Sequence, residues 1–182
     1  MTARRRALGL AAVICSLLVA APAVAAMRTA TPDVSTHRAF QPVSAAASTA
    51  FTYDESGVPQ GATASVEAFY LGDGSTAVTL ELRGLAPFRT YGAHAHVGAC
   101  SDAPTAAGGH WHFPGTEGDA LEQREIWLDV TTDEQGYAKS VALRSGSIPS
   151  GDRPMSIVVH ALATDPTSGL AGGRLACVTV PF

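Results

Sequence analysis

The chain has 182 residues, of which 46% are hydrophobic and 15% are charged, and its formal net charge is −4. This length suits one domain with extensions. The acidic balance excludes binding of nucleic acid or of an anionic membrane through bulk positive charge.

The N-terminus has the pattern of a secretory signal peptide. The basic start "MTARRR" is followed by the apolar run "ALGLAAVICSLLVAA" and then by "AVA", a small-residue cleavage signal. A membrane anchor is the alternative, but the apolar run is short for a membrane span. We therefore predict that residues 1–26 are a signal peptide, that the protein is secreted or held in the cell envelope, and that cleavage leaves no membrane attachment.

Cleavage of this peptide would change two counts. It would remove Cys15 and leave Cys100 and Cys177, and an even pair of cysteines in an exported chain indicates one disulfide. It would also remove the three arginines at positions 4–6, so that nine basic residues face 16 acidic ones and the net charge becomes −7. A small anionic substrate would then need a local positive charge to guide it.

Residues 27–50 are rich in Ala, Ser, Thr and Pro and show no sustained periodicity. Such a composition predicts a disordered linker. His37 lies in this segment, where we expect an isolated and solvated histidine.

The remaining residues, 51–182, have the sequence pattern of an all-β domain. Short runs rich in β-branched residues recur in the order FTYDES, ATASVEAFYL, STAVTLELRGL, YGAHAHV, REIWLDVTT, YAKSVAL, MSIVVHALA and RLACVTV. Turn signals such as "GDGS", "DEQG" and "DPTSGLAGG" separate these runs. About eight strands in this arrangement predict an antiparallel sandwich or a Greek-key barrel.

Four of the six histidines lie in the stretch "HAHVGACSDAPTAAGGHWH". His94 and His96 share one face of a predicted strand, which suits a metal site but also suits packed or solvated histidines. His110 and His112 follow glycines that let the backbone bend towards this pair. His160 lies in the apolar strand "IVVHALA", where a lone histidine is either a core residue or a ligand. From these residues alone, the alternatives stay open.

Several blocks of the sequence, in the right order, resemble the copper/zinc superoxide dismutase family. "GLAPFRTYGAHAHVGAC" resembles the family signature, in which a Gly-Leu turn leads into a strand ending in His-x-His, followed by Gly-x-Cys. "AGGH" resembles the next histidine of the family, "VVHA" its last copper histidine, and "AGGRLAC" its closing segment. The resemblance extends from Ala62 to the C-terminus.

This resemblance implies an all-β fold, an eight-stranded antiparallel Greek-key β-barrel of the superoxide dismutase type. It implies that a Cys100–Cys177 disulfide ties the loop before His110 to the last strand. It also implies that Arg174 guides superoxide to copper. The copper ligands that it implies are His94, His96, His110 and His160.

The zinc ligands of the family have no counterpart in this sequence. When "DVTTDEQG" is aligned on its turn, Gln123 and Ile126 occupy the places of the last zinc histidine and the zinc aspartate. An amide is a poor zinc ligand and an alkyl group is none, and His110, His112 and an acid such as Asp119 would make only a partial site. The pattern therefore resembles the copper-only branch of the family, with copper as the cofactor, no zinc, and His112 as a supporting residue.

The function implied by the resemblance is that of an exported copper-dependent superoxide dismutase, which converts superoxide to oxygen and hydrogen peroxide. Superoxide would be held by Arg174, and His110 would detach from reduced copper and take up a proton. A dismutase-like module that binds copper without turnover, or binds no metal, is the alternative, and the sequence indicates no oligomeric state. The group that orients His110 stays open among four acids, which are Glu117, Asp119, Glu122 and Glu125.

Overall fold

Antiparallel strands make up most of the structure. The computed structural model describes residues 30–182, and the predicted signal peptide, residues 1–26, lies outside them. Pro32–Phe182 form one compact unit. Within the described residues, no helix is both long and apolar enough to cross a membrane.

Between residues 30 and 182 the chain forms eleven strands and two short helical segments. The strands are, in chain order, β1 Val34–Ala39, β2 Gln41–Pro42, β3 Ala50–Thr52, β4 Thr63–Tyr70, β5 Thr76–Arg83, β6 Thr90–Tyr91, β7 Ala93–His96, β8 Val130–Thr131, β9 Ala138–Arg144, β10 Ser156–His160 and β11 Arg174–Thr179. A 3₁₀ turn at Pro104–Ala107 and a short helix, α1, at Leu121–Arg124 lie between β7 and β8.

The first sheet has the strand order β1-β4-β5-β9, and each neighbouring pair is antiparallel. Along β4, the alternate residues Ala64, Val66 and Ala68 are fully buried, whereas the residues between Ala64 and Ala68 on the other face are partly exposed. Because side chains alternate across a strand, this period of two places one face of the sheet on the core.

The second sheet has the strand order β2-β3-β11-β10-β7. Its β2–β3 pair is parallel and its other pairs are antiparallel. β10 lies between β11 and β7 and is buried over its whole length, as its continuous apolar run indicates. A separate two-stranded ladder joins β6 to β8.

The prediction of a disordered linker at residues 27–50 is wrong for the part that forms β1 and β2. β1 pairs with β4 through six residue pairs, and β2 joins the second sheet. Phe40, between these two strands, is fully buried in the core. Composition misses this segment because a backbone ladder and a few well-placed apolar side chains are enough to hold an edge strand. His37 is exposed, as predicted, and its Nδ1 bonds to the Ser65 hydroxyl at 2.8 Å.

The strands predicted from residue 51 onward appear, with one main departure. "REIWLDVTT" forms a regular ladder only at β8, and its earlier part lies along the free edge of β7 as irregular strand. The Ala95 amide donates to the Ile126 carbonyl at 3.2 Å, and the Leu128 amide donates to the Ala93 carbonyl at 2.7 Å. The fold is therefore mostly β with antiparallel sheets, and the closed eight-stranded barrel stays a prediction from the resemblance.

The Cys100–Cys177 disulfide joins a loop to β11 across a sequence separation of 77 residues, as the resemblance implied. Cys177 is fully buried and packs in a small cluster with Ala107 and Val158. The bond therefore holds the segment that leads to His110 against the second sheet.

Replacing Cys100 and Cys177 together with serine should lower the free energy of unfolding by about 2–5 kcal/mol, because the cross-link restricts the unfolded chain over a long loop. Urea unfolding of the full chain measures this loss. A reducing agent should weaken the wild-type chain by a similar amount and leave the double variant unchanged. A loss of less than about 1 kcal/mol would contradict the expected stabilisation.

Candidate metal centre

β7 and β10 bring three histidines together. His94 and His96 lie on β7, which pairs with β10 along its length. Because they are two residues apart on a strand, their rings share a face. His160 ends β10, just after a register shift in the pairing of β10 with β11. Val158 of β10 pairs with His94 across the ladder, and His160 lies two residues further along β10, so its side chain falls on the same face as the pair on β7.

His110 reaches the same point from the loop that follows the 3₁₀ turn. His96 and His110 form an isolated antiparallel bridge, and the Gly98 amide donates to the Ala107 carbonyl at 2.8 Å. A side chain at position 98 would collide with the Ala106 carbonyl oxygen. The loop can approach β7 this closely because Gly98 has no Cβ atom.

The four rings form one cluster with little access to water. One donor nitrogen from each ring lies within 4.8 Å of the others. His94 and His96 are fully buried and His160 nearly so, whereas the His110 side chain is 19% exposed. Burial, helped by the neighbouring rings, lowers the pKa of His94 to about 2 and that of His96 to about 3. These rings therefore stay neutral and keep a lone pair for a metal.

In three of the rings the Nδ1 atom is hydrogen-bonded to an acceptor. His96 Nδ1 donates to the Gly108 carbonyl at 3.1 Å, and His160 Nδ1 donates to the Gly172 carbonyl at 3.2 Å. A carbonyl oxygen only accepts, so each Nδ1 carries the proton and each Nε2 is left with its lone pair. His110 follows the same pattern, with a carboxylate as the acceptor.

His94 is oriented the other way. Its Nε2 lies 2.6 Å from the Thr164 hydroxyl, and its buried Nδ1 has no hydrogen-bond partner in the part of the chain that the structure describes. A buried nitrogen without a partner is costly unless a metal takes its lone pair. Three Nε2 atoms and one Nδ1 atom are thus available to one metal ion. Such a set of imidazole nitrogens fits copper.

Glu125 orients His110. Its Oε2 accepts from His110 Nδ1 at 2.7 Å and from Trp127 Nε1 at 2.6 Å, and its Oε1 lies 3.0 Å from His112 Nε2. Although burial acts to raise it, the hydrogen bonds from His110 and Trp127 leave the pKa of Glu125 below its ordinary value. The carboxylate therefore stays ionised. The other three candidate acids are exposed, namely Glu117, Asp119 and Glu122.

The positions aligned with the zinc ligands of the family have other surroundings here. Ile126 is buried in the hydrophobic core, and Gln123 is exposed. The His112 side chain is 41% exposed, and its second nitrogen, Nδ1, lies 3.1 Å from the Arg124 guanidinium. His112 therefore supports Glu125 and lies outside the cluster of converging nitrogens.

Arg174 places a positive charge beside the cluster. It begins β11 and pairs with His160 across the ladder. Its Nη1 donates to the Pro104 carbonyl at 2.6 Å, and its Nη2 donates to the Gly108 carbonyl. Because the Gly108 carbonyl also accepts from His96, Arg174 steadies the loop that orients this ring.

Asp129, Thr164 and Trp127 belong to the site but were not singled out from the sequence. The Trp127 ring centroid is 5.9 Å from that of His94, and the Thr164 hydroxyl donates to Asp129 Oδ1 at 2.6 Å. Asp129 and Thr164 are 35 residues apart and lie in no shared local pattern. No spacing rule joins them, so only the folded chain shows the contact.

These features define a mostly antiparallel β protein with a metal site of four imidazoles. The family model described as copper/zinc superoxide dismutase (SODC) matches residues 62–180, and the chain belongs to this family. No curated protein sequence matches the chain.

Solved structures of other proteins share the fold, among them the following two. A crystal structure of the clock protein EA4 superposes with a TM-score of 0.55 at 19% identity, covering 83% of this chain and 95% of that one. A double mutant of a SOD-like protein from Bacillus subtilis gives a TM-score of 0.50 at 15% identity, covering 64% of this chain and 87% of that one. At these identities the likeness concerns the fold alone.

The metal-free chain should lose stability as the pH falls below about 6.5, the ordinary pKa of histidine. Above that value His94, His96 and His160 are neutral in the folded and unfolded states. Below it the unfolded chain binds protons that the buried rings do not, since their pKa values are lowered to about 2, 3 and 4. By about pH 5, each ring should account for on the order of 2 kcal/mol of lost stability.

Urea unfolding of the metal-free chain between about pH 5 and pH 8 measures this loss. His160→Asn should make the pH dependence shallower, because it removes one titrating ring. Equal stability at both ends of this range would contradict the lowered pKa values.

Proposed function

We propose that the chain is an exported, copper-dependent superoxide dismutase without a zinc site, which converts superoxide to oxygen and hydrogen peroxide. The convergence of one donor nitrogen from each of four histidines carries the proposal. Membership of the family supports superoxide as the substrate. The four residues that would hold copper are His94, His96, His110 and His160.

Copper bound at these nitrogens would supply one-electron chemistry, accepting an electron from one superoxide and returning it to the next. The whole reaction consumes two protons, so the chain must also handle protons. We assign this task to His110, because its side chain is more accessible than the buried rings of His94 and His96. Its Nε2 is the atom that would take up and release a proton, while its Nδ1 proton stays bonded to Glu125.

Glu125 would take the orienting role that zinc has in the zinc-containing members of the family. The carboxylate is 3% exposed and accepts from three side chains, so it cannot rotate without breaking several hydrogen bonds. An anion bonded to one ring nitrogen raises the basicity of the other. This role for Glu125, together with Gln123 and Ile126 at the aligned zinc positions, supports a copper-only site.

Arg174 would guide superoxide to the site. An acidic chain repels a small anion at long range, so a local positive charge must offset this repulsion. Two carbonyl oxygens hold the guanidinium of Arg174 in place next to the strand that carries His160. A planar, permanently charged group held in this way keeps its position while the substrate arrives.

Export is part of the same proposal, with the protein in the cell envelope or outside the cell. The pattern of residues 1–26 supports it. The Cys100–Cys177 disulfide is also of a kind that persists in oxidising compartments.

A second candidate function is copper binding without turnover. One protein that shares the fold is named as a clock protein, so the fold also occurs in a protein not named as a dismutase. The two candidates differ in one measurement, since the second predicts bound copper without removal of superoxide.

Metal analysis and superoxide assays of the purified full chain test the proposal. We expect a copper-to-protein ratio of about one, no bound zinc, and superoxide removal that depends on copper. His160→Ala should lower this activity by at least about 100-fold because it removes a ligand. His37→Ala, at an exposed histidine on β1, is the matched control and should retain full activity. Activity without bound copper would overturn the proposal, and copper binding without activity would favour the second candidate.

Glu125→Gln should lower copper-dependent activity by about 10-fold to 100-fold, since glutamine keeps the volume but loses the charge that holds the His110 proton. Copper content, measured separately, shows whether the loss lies in binding or in turnover. His112→Ala removes a single donor to Oε1 and should cost less than about 10-fold. Equal losses in the two variants would argue against an orienting role for Glu125.

A further inference from the structure

Thr164 and Asp129 lie next to the Nε2 side of the His94 ring. We propose that they act together as positioning residues, which keep the proton of the neutral His94 ring on Nε2 and leave Nδ1 free for the metal. The inference rests on the proposed function in that a metal occupies the cluster. The tautomer that it assigns belongs to the metal-free chain and can be measured there.

The contacts form one short chain of hydrogen bonds. His94 Nε2 lies 2.6 Å from Thr164 Oγ1, and Thr164 Oγ1 lies 2.6 Å from Asp129 Oδ1. The direct distance from His94 Nε2 to Asp129 Oδ1 is 3.7 Å, so the hydroxyl is the link between ring and carboxylate. Asp129 is itself fixed by two backbone amides, from Thr164 at 2.8 Å and from Ala93 at 3.2 Å.

The direction of each hydrogen bond follows from the number of available protons. A carboxylate only accepts at neutral pH, and a hydroxyl has one proton to donate. Thr164 must therefore donate its proton to Asp129, and it can only accept from the ring. His94 Nε2 consequently carries the ring proton, and the buried Nδ1 holds a lone pair without a partner among the described residues.

The other three rings do not need such a pair of residues. Two of them bond to backbone carbonyls and one bonds to a carboxylate, and each of these acceptors fixes the ring proton by itself. A hydroxyl alone could donate to His94 as readily as it accepts. Asp129 removes this ambiguity, which is the physical reason for two residues at this one ring.

The opposite tautomer would disable the site. A proton on His94 Nδ1 would point into the cluster, where the neighbouring His110 ring is 4.2 Å away between centroids and the His160 ring is 5.0 Å away. The lone pair of Nδ1 would then be lost to a metal. The hydrogen-bond chain from Asp129 therefore prepares the ring before any metal arrives.

Three variants of the full chain separate the hydroxyl from the loop that carries it. Thr164→Val removes the hydroxyl but keeps the shape and the backbone amide that bonds to Asp129. Thr164→Ser restores a hydroxyl. Thr167→Val is the matched control, because Thr167 is exposed in the same loop and bonds to Asp165 through its backbone alone.

Nitrogen NMR of the metal-free chain reads the tautomer, and Cu(II) titration reads the affinity. We expect His94 to be protonated at Nε2 in the wild-type chain, in Thr164→Ser and in Thr167→Val, and to lose this preference in Thr164→Val. Cu(II) affinity should fall by about 10-fold to 100-fold in Thr164→Val and stay within about 3-fold in the other two.

A wild-type His94 protonated at Nδ1 would overturn the inference, whatever the activity. So would a Thr164→Val chain with unchanged tautomer and unchanged affinity, or a loss of affinity that Thr164→Ser shares, since the hydroxyl would then not be the cause. A wild-type chain with the Nε2 proton but without copper-dependent activity would count against the proposed function and leave the assignment to Thr164 and Asp129 standing.

Discussion

The antiparallel pairing of β7 with β10 is the constraint on which the metal centre depends. It places His94, His96 and His160 on neighbouring strands of a buried sheet, where their rings meet on one face. The free edge of β7 then binds the chain segments on either side of α1, one carrying His110 and the other Glu125. A shift of β7 by one residue would turn both of its histidines to the other face.

The loops decide which nitrogen each ring offers. The outer nitrogens bond to the Gly108 and Gly172 carbonyls, to Glu125 and to Thr164. These four groups lie on three connecting segments, since Thr164 and Gly172 share the loop between β10 and β11. The strands therefore set the positions of the rings, whereas the loops set their proton positions. Cys100, Cys177 and Arg174 hold one of these loops in place. This division explains how residues that are not predicted ligands contribute to the site.

Burial of the rings favours metal binding but lowers the stability of the metal-free chain. Removing the rings from water keeps His94 and His96 neutral, so their lone pairs are available at any ordinary pH. The same burial leaves His94 Nδ1 without a hydrogen-bond partner among residues 30–182. A metal that binds there relieves this cost, so binding and stability are coupled.

The sequence by itself determined the features that depend on near neighbours: the strand runs, the His-x-His pair on one face, and the even cysteine pair after residue 26. The resemblance to the family added Arg174 and the copper-ligand roles of His110 and His160, and it placed Gln123 and Ile126 at zinc-ligand positions. The tertiary structure decided the rest. β1 and β2 form because a ladder with β4 and the burial of Phe40 outweigh a weak local pattern. Of the four candidate acids, only Glu125 is hydrogen-bonded to His110. Thr164 meets Asp129 only through folding. The periodicity of the sequence indicates which face of a strand a residue occupies, but contacts between distant loops arise from the packing of the whole chain.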